Sequence, residues 1–210
     1  MKHKKMDTRY MAVLAMFCGI LLVMGVTGIG FIPLPAIKAT TMHIPVILGA
    51  VLQGPAAGAV LGGVFGLCSI WVNTTYPGLL AFAFSPFMST EGLSGVLKSL
   101  WIALGCRILF GAIAGWLWKG FKRLFKQDYI ALPVTAAVST ICHTLLVMGS
   151  IYLLLAQQYA QAKNVAITAV FGLVMGTVTA SGIPEAVIAA VLVTVIGKAL
   201  LHLMERMKKR

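Results

Sequence analysis

Charge is what this chain has least of. Only 10% of its 210 residues are charged, and acids are scarcer still, with 5 Asp and Glu against 17 Lys and Arg. A soluble domain carries about 25% charged residues, so an ordinary water-facing surface is excluded. No G-x-x-x-x-G-K-[ST] loop occurs, which excludes nucleotide binding of that kind. There is no HExxH and no nucleophile with an evident base. The 4 cysteines, Cys18, Cys68, Cys106 and Cys142, are widely separated inside apolar runs and indicate neither a disulfide framework nor a metal site. No A-x-A cleavage site follows the apolar stretch Tyr10 to Val26, so that stretch reads as an uncleaved first helix.

What the chain does have is apolar length. Hydrophobic residues make up 60% of it, and mean hydropathy is +0.96. A hydrocarbon core about 30 Å thick needs roughly 20 helical residues per crossing, and runs of that kind recur along the whole sequence. The expectation is a single all-α membrane domain spanning 1–210, multi-pass in the cell membrane, with the lipid bilayer as its surroundings. The net charge of +12 does not argue for nucleic acid, because the cations are not spread over a face. They cluster at Lys2, Lys4, Lys5 and Arg9, at Lys119 to Lys126, and at Arg206 to Arg210, each beside an apolar run. The positive-inside rule makes these segments, and both termini, cytoplasmic.

Taken in order, helices are expected over about 10–28, 42–53, 56–72, 97–120, 130–155 and 184–203. Pro33 and Pro35 break helicity after the first and leave an outer loop carrying Lys38. The second run is short for a crossing. Gly54-Pro55 makes a tight turn, and Gly54, Gly58, Gly62 and Gly66 then fall at every fourth position, a stripe that lets another helix backbone come close. Helix one or six is the expected occupant of that stripe. A long outer loop runs from Asn73 to Val96 and includes Thr90 and Glu91. The apolar segment 165–180 is also short for a crossing. It reads as an outer half-helix, with Pro184 opening the last helix, because a seventh crossing would put the C-terminal cations outside.

The residues that could carry chemistry are few. Arg107 lies near the middle of helix four, where a cation costs about 2.5 to 3.5 kcal/mol even on a lenient scale. It must face the bundle interior, either against a substrate carboxylate or against helix carbonyls or a protein acid. His143, at similar depth in helix five, is a second ligand group or a satisfied core histidine. Glu185 heads the last helix, where a carboxylate meets the positive helix end; a cap, or a partner for Lys98 or Lys163, is the plainer role. His43 with Thr40 and Thr41 is a helix-start cluster or a group reaching a ligand from the first loop. Lys38, Asn73, Tyr76 and Asn164 complete the candidates on the outer face. Any uphill transport by this chain needs an ion gradient or another subunit's ATPase.

Together, HIPVILGAVLQGP, the glycine-rich AAGAVLGGVFGL, the loop FSPF, CRILFG in helix four and the acid heading the last helix resemble the substrate-binding S components of energy-coupling factor (ECF) vitamin transporters. The resemblance covers nearly the whole chain and is strongest to pantothenate-type members. It implies capture of a small-molecule vitamin from outside, docking on a membrane coupling subunit attached to two ATPases, and release inside. ATP and Mg would bind those partners, with no cofactor in this chain. Family members carry Ala-x-x-x-Ala on helix one for docking. Here Ala12 is followed four later by Met16, and Ala15 by Gly19, so Ala12, Ala15 and Gly19 are the docking candidates. The alternatives are an S component for another vitamin such as riboflavin, a stand-alone ion-coupled carrier, or an intramembrane enzyme using His143 with Ser139 or Ser150.

Overall fold

Apolar helix-forming runs punctuated by Gly and Pro give a bundle with two distinct ends. The computed structural model describes residues 8–33, 38–89 and 91–208. Lys2, Lys4, Lys5, Lys209 and Arg210 of the basic clusters, Pro35 and Thr90 lie outside the described residues.

Helix α1, Thr8–Val26, turns its Phe17, Leu21 and Gly25 inward. Gly28 then takes φ of 74° and the chain reverses through a small antiparallel ribbon, β1 Phe31–Pro33 against β2 Lys38–Thr40, with Phe31 opposite Thr40 and Pro33 opposite Lys38. Apart from this ribbon the elements of the described residues are helical, as expected. Pro33, at the end of β1, is compatible with a short edge ribbon.

Helix α2, His43–Gln53, is about 16 Å long by its 11 residues, half the hydrocarbon thickness. Residues from His43 to Val51 are all buried, so this helix is enclosed by its neighbours. Gly54, at φ 93°, makes the turn, and Pro55 opens helix α3, Pro55–Thr75. Helix α3 runs three residues past the expected 72 and takes in Asn73, which belongs to its last turns and not to the loop.

The long loop then holds its own structure: a short helix α4, Ala81–Phe84, and a 3₁₀ turn Pro86–Met88. Helix α5, Gly92–Leu100, passes through a π segment, Trp101–Gly105, into α6, Cys106–Phe125. The crossing expected over 97–120 therefore extends at both ends.

Helix α7, Asp128–Lys163, outruns the expected 155, but Leu155 has non-helical angles (φ −132°, ψ 24°), so the expected boundary is a kink. Helix α8, Val170–Thr177, continues through a second π segment, Val178–Gly182, into α9, Ile183–Lys208. This corrects the separate half-helix over 165–180: Pro184 does not open a new helix. A proline inside a helix loses one hydrogen bond and collides with the carbonyl four residues back; the π turn just before Pro184 widens the backbone there and lets the helix continue.

Among the described residues, five helices are long and apolar enough to cross a membrane: Thr8–Val26, Pro55–Thr75, Gly92–Phe125, Asp128–Lys163 and Ile167–Met204. Their exposed faces are rich in Leu, Ile, Val, Phe and Trp, as lipid contact requires.

The glycine stripe is filled by α6, which belongs to the fourth helix expected from the sequence, and not by the expected first (10–28) or last (184–203) helix. A Cβ on Gly58 would overlap the carbonyl oxygen of Gly111, and a Cβ on Gly111 that of Gly58. Gly62 meets the Arg107 carbonyl in the same way, and a Cβ on Gly66 would lie 2.7 Å from Ala103 O. The antiparallel backbones touch at every fourth residue. Gly54 serves the turn instead. The close approach holds the backbone of Arg107 against α3 and so sets where its side chain leaves the helix.

Two apolar clusters form the core. One gathers Phe17, Leu21, Ile47, Leu61, Phe65, Phe110 and Leu132 and reaches Phe31 of the ribbon. The other gathers Leu80, Phe84, Ile102, Cys106, Met148, Ile151 and Tyr159 beneath the ribbon-end loops. Along α7 the buried face carries Leu132, Thr135 and Ala136, then Ser139, Thr140 and His143, and is apolar again from Val147. The polar stretch falls between the two clusters.

Candidate functional site

The polar layer is assembled from α2, α3, α6 and α7. Arg107 is 4% exposed. Its Nη1 donates to the carbonyls of Ile102 and Ala103, both at 3.0 Å, five and four residues back, beside the π segment. A π turn disturbs the regular carbonyl ladder, and here the guanidinium takes up two of those acceptors. The Arg107 Cζ also lies 4.7 Å from the ring centre of Phe65 and 5.3 Å from that of Phe84, contacts that stabilise a desolvated cation. Its Nε has no hydrogen-bond partner among the described residues. No protein carboxylate pairs with Arg107 among the described residues; the ion pairs found there join Lys98 to Glu91 and Lys122 to Asp128.

His143 and His43 face each other, ring centres 6.4 Å apart and planes at 22°. Phe110 lies 4.7 Å and Phe65 5.5 Å from the His143 ring. The histidines are 5% and 1% exposed; among the described residues no ring nitrogen of either makes a hydrogen bond of full geometry and the hydroxyls of Ser139 and Thr140 are equally unmatched, although His43 lies beside the backbone of Thr40 and Glu185. Buried polar atoms are nearly always paired. A cluster of orphans along three elements therefore marks a place built for something else to complete.

Of the candidates taken from the sequence, Arg107, His143 and His43 come together. Thr41 is half-buried at the start of α2, its N–H donating to Gly30 O at 3.1 Å. Asn73 is buried on the face of α3 that also carries Phe65 and Ser69, and its Nδ2 donates to Ser69 O at 2.8 Å. Glu185 is half-buried and its Oε1 accepts from the Thr40 N–H at 3.1 Å, fastening β2 to the head of α9. Lys98 is the partner of Glu91 and not of Glu185. Lys38 sits on β2 opposite Pro33; its side chain lies outside the described residues. Tyr76 is exposed where α3 ends. Asn164, exposed at φ 57°, terminates α7 in the left-handed conformation that Asn tolerates. Neither of these two joins the layer.

The sequence candidates omit Phe65, Phe84, Phe110 and Thr140, and include Ser139 only as a possible nucleophile. The available signal is the spacing 139, 140, 143 on α7, which puts three polar groups on one helix face inside an apolar run. The enzyme alternative finds no support in the geometry, since Ser150 Oγ lies 3.3 Å from Cys106 Sγ and His143 has no hydrogen-bonded serine among the described residues.

On helix α1, Ala12 and Ala15 are exposed and Gly19 half-exposed, on the side opposite Phe17 and Leu21. A Cβ added at Gly19 would meet nothing within 4 Å.

Comparison with known proteins gives the family. The family model described as "ECF transporter, substrate-specific component" matches residues 9–197. The pantothenic acid transporter PanT of Lactococcus lactis subsp. cremoris is 30% identical over 201 residues, covering 94% of this chain and 96% of that protein. The pantothenate transporter PanT of Leuconostoc mesenteroides subsp. mesenteroides is 25% identical over 211 residues, covering 95% of each. This multi-pass membrane chain belongs to the ECF transporter substrate-specific components, binding subunits for transport and not enzymes.

Proposed function

We propose that this chain captures pantothenate from the outer side of the membrane, holding its carboxylate at Arg107 and its amide and hydroxyls against the histidine-bearing layer. The observation that carries the reading is the buried guanidinium with no protein acid facing it among the described residues. A carboxylate ligand supplies the missing anion in a geometry for which Arg is suited. The names of the two relatives point to the same vitamin. Riboflavin, neutral and wide, makes no use of the cation.

In the cell the ribbon end faces outward and both termini face the cytoplasm, following the basic segments. Helix α2 with the ribbon above it makes a sixth, short crossing. The bare small-residue face of α1, at Ala12, Ala15 and Gly19, docks on the coupling subunit of the energising module, whose two ATPases bind ATP and Mg.

Titration calorimetry on the purified chain tests the substrate. Pantothenate binds the wild type, and Arg107→Ala weakens it at least tenfold, about 1.4 kcal/mol. Unchanged affinity removes the carboxylate role, and binding of riboflavin in place of pantothenate overturns the substrate.

A further inference from the structure

We infer that the site reads its ligand lengthwise, anionic end at Arg107 toward the ribbon and hydroxyl-bearing end against Ser139 and Thr140, one turn of α7 deeper than His143. The inference rests on the carboxylate reading of Arg107 given above and adds a second specificity pole.

The behaviour of hydroxyls on α7 carries it. A buried Ser or Thr in a helix ordinarily donates to the carbonyl four residues back. Thr135 does so to Ala131 O at 2.6 Å, and Thr144 to Thr140 O at 3.1 Å. Ser139 and Thr140, between them on the same helix and 0% exposed, do not, and their oxygens meet no partner among the described residues. Two neighbouring hydroxyls left free of their own backbone are donors and acceptors held ready for a ligand that brings both.

Depth follows from register. Cys106 Sγ lies 3.7 Å from Leu146 O and 3.3 Å from Ser150 Oγ, so the start of α6 is level with residues 146–150 of α7. The Arg107 guanidinium turns back toward Ile102 and Ala103, toward the ribbon end. Ser139 and Thr140 lie six to seven residues the other way along α7, roughly 10 Å deeper at 1.5 Å per residue. Phe110 and the two imidazoles sit between these poles. The order from the ribbon inward is cation, imidazoles, hydroxyls. That order suits an extended molecule with a carboxylate at one end, an amide in the middle and alcohols at the other.

The test pairs protein variants with ligand analogues in calorimetry on the full chain. The ligands are pantothenate, pantothenol (carboxylate replaced by an alcohol) and the analogue of pantothenate lacking its terminal hydroxyl. Ser139→Ala with Thr140→Val weakens pantothenate at least tenfold and leaves the deoxy analogue within twofold of its wild-type affinity. Arg107→Gln does the mirror image, abolishing the preference for pantothenate over pantothenol while keeping the preference for the terminal hydroxyl. Equal weakening of pantothenate and the deoxy analogue by the hydroxyl variants overturns the inference, as does a hydroxyl variant that abolishes the acid-over-alcohol preference. Wild-type protein that binds none of the three overturns the pantothenate reading itself. Ser139→Ala and Thr140→Val are also made singly. Removing an unpartnered buried hydroxyl leaves the melting temperature of the ligand-free protein unchanged or raised, whereas a hydroxyl with a structural task would lower it.

Discussion

Helices α1 and α3 each carry small residues at near-helical spacing, and the two stripes have opposite fates. On α3, Gly58, Gly62 and Gly66 are pressed against the α6 backbone so closely that no Cβ fits. On α1, Ala12, Ala15 and Gly19 face away from the bundle. The motif is the same device, a low surface that admits another backbone. What differs is that one is covered by a helix of the same chain and the other is left bare. The filled stripe fixes the fold and the placement of Arg107, while the empty one is, on the function proposed above, the face offered to the energising module.

The contrast can be broken most severely on α3. Gly58→Leu puts a side chain where the Gly111 carbonyl already is, an obstacle made of backbone that cannot rotate aside. It is expected to destabilise by about 3 kcal/mol or more, seen as loss of monodisperse protein in detergent or a large fall in melting temperature. The pair Ala12→Leu and Gly19→Leu is expected to leave the melting temperature of the isolated chain within a few degrees, because nothing lies opposite Gly19, yet to abolish co-purification with the energising module. Retained assembly would remove α1 from the docking surface.

Adjacent glycines sharpen the comparison within one helix. A Cβ at Gly63 would lie 3.7 Å from Ile108 Cγ1, an ordinary contact, whereas at Gly62 it would strike the Arg107 carbonyl. Gly63→Ala is expected to be neutral or stabilising by up to about 1 kcal/mol. Gly62→Ala is expected to lower both the melting temperature and ligand affinity, measured by thermal shift with and without pantothenate. The smallest effect belongs to the rim. Lys98, with Gln158, holds the Glu91 carboxyl below its ordinary value, so the pair's contribution is whole above that ordinary value and is lost as pH falls through the lowered one. Glu91→Gln is expected to lower the melting temperature slightly at pH 7, a difference that vanishes on acidification. The exposed position of the pair makes anything larger a contradiction.

Much of this was legible in the sequence. Apolar length, proline punctuation and the Gly54-Pro55 turn placed the helices, and the expense of a buried cation singled out Arg107. Three features were not legible. Spacing says that Gly58, Gly62 and Gly66 share a face but not which helix lies opposite, since residues 103–115 offer the complementary small positions only after folding in antiparallel register. Pro184 read as a helix start because a π turn that tolerates it has no sequence signature. The hydroxyls of Ser139 and Thr140 became informative only when Thr135 and Thr144 were seen to satisfy themselves and these two were not.

The π segment at Trp101–Gly105 has a further consequence for how such a chain can diversify. A helix with one wide turn carries a residue more than its regular ladder needs, so the parts on either side keep separate rotational settings. Below it, α6 is locked to α3 through Gly111 and Gly62, with Arg107 in that frame. Above it, α5 follows the loop that begins after Thr75. Residues can be gained or lost on the loop side without turning the guanidinium away from the layer, which leaves the ribbon-end surface free to change over an unmoved Arg107.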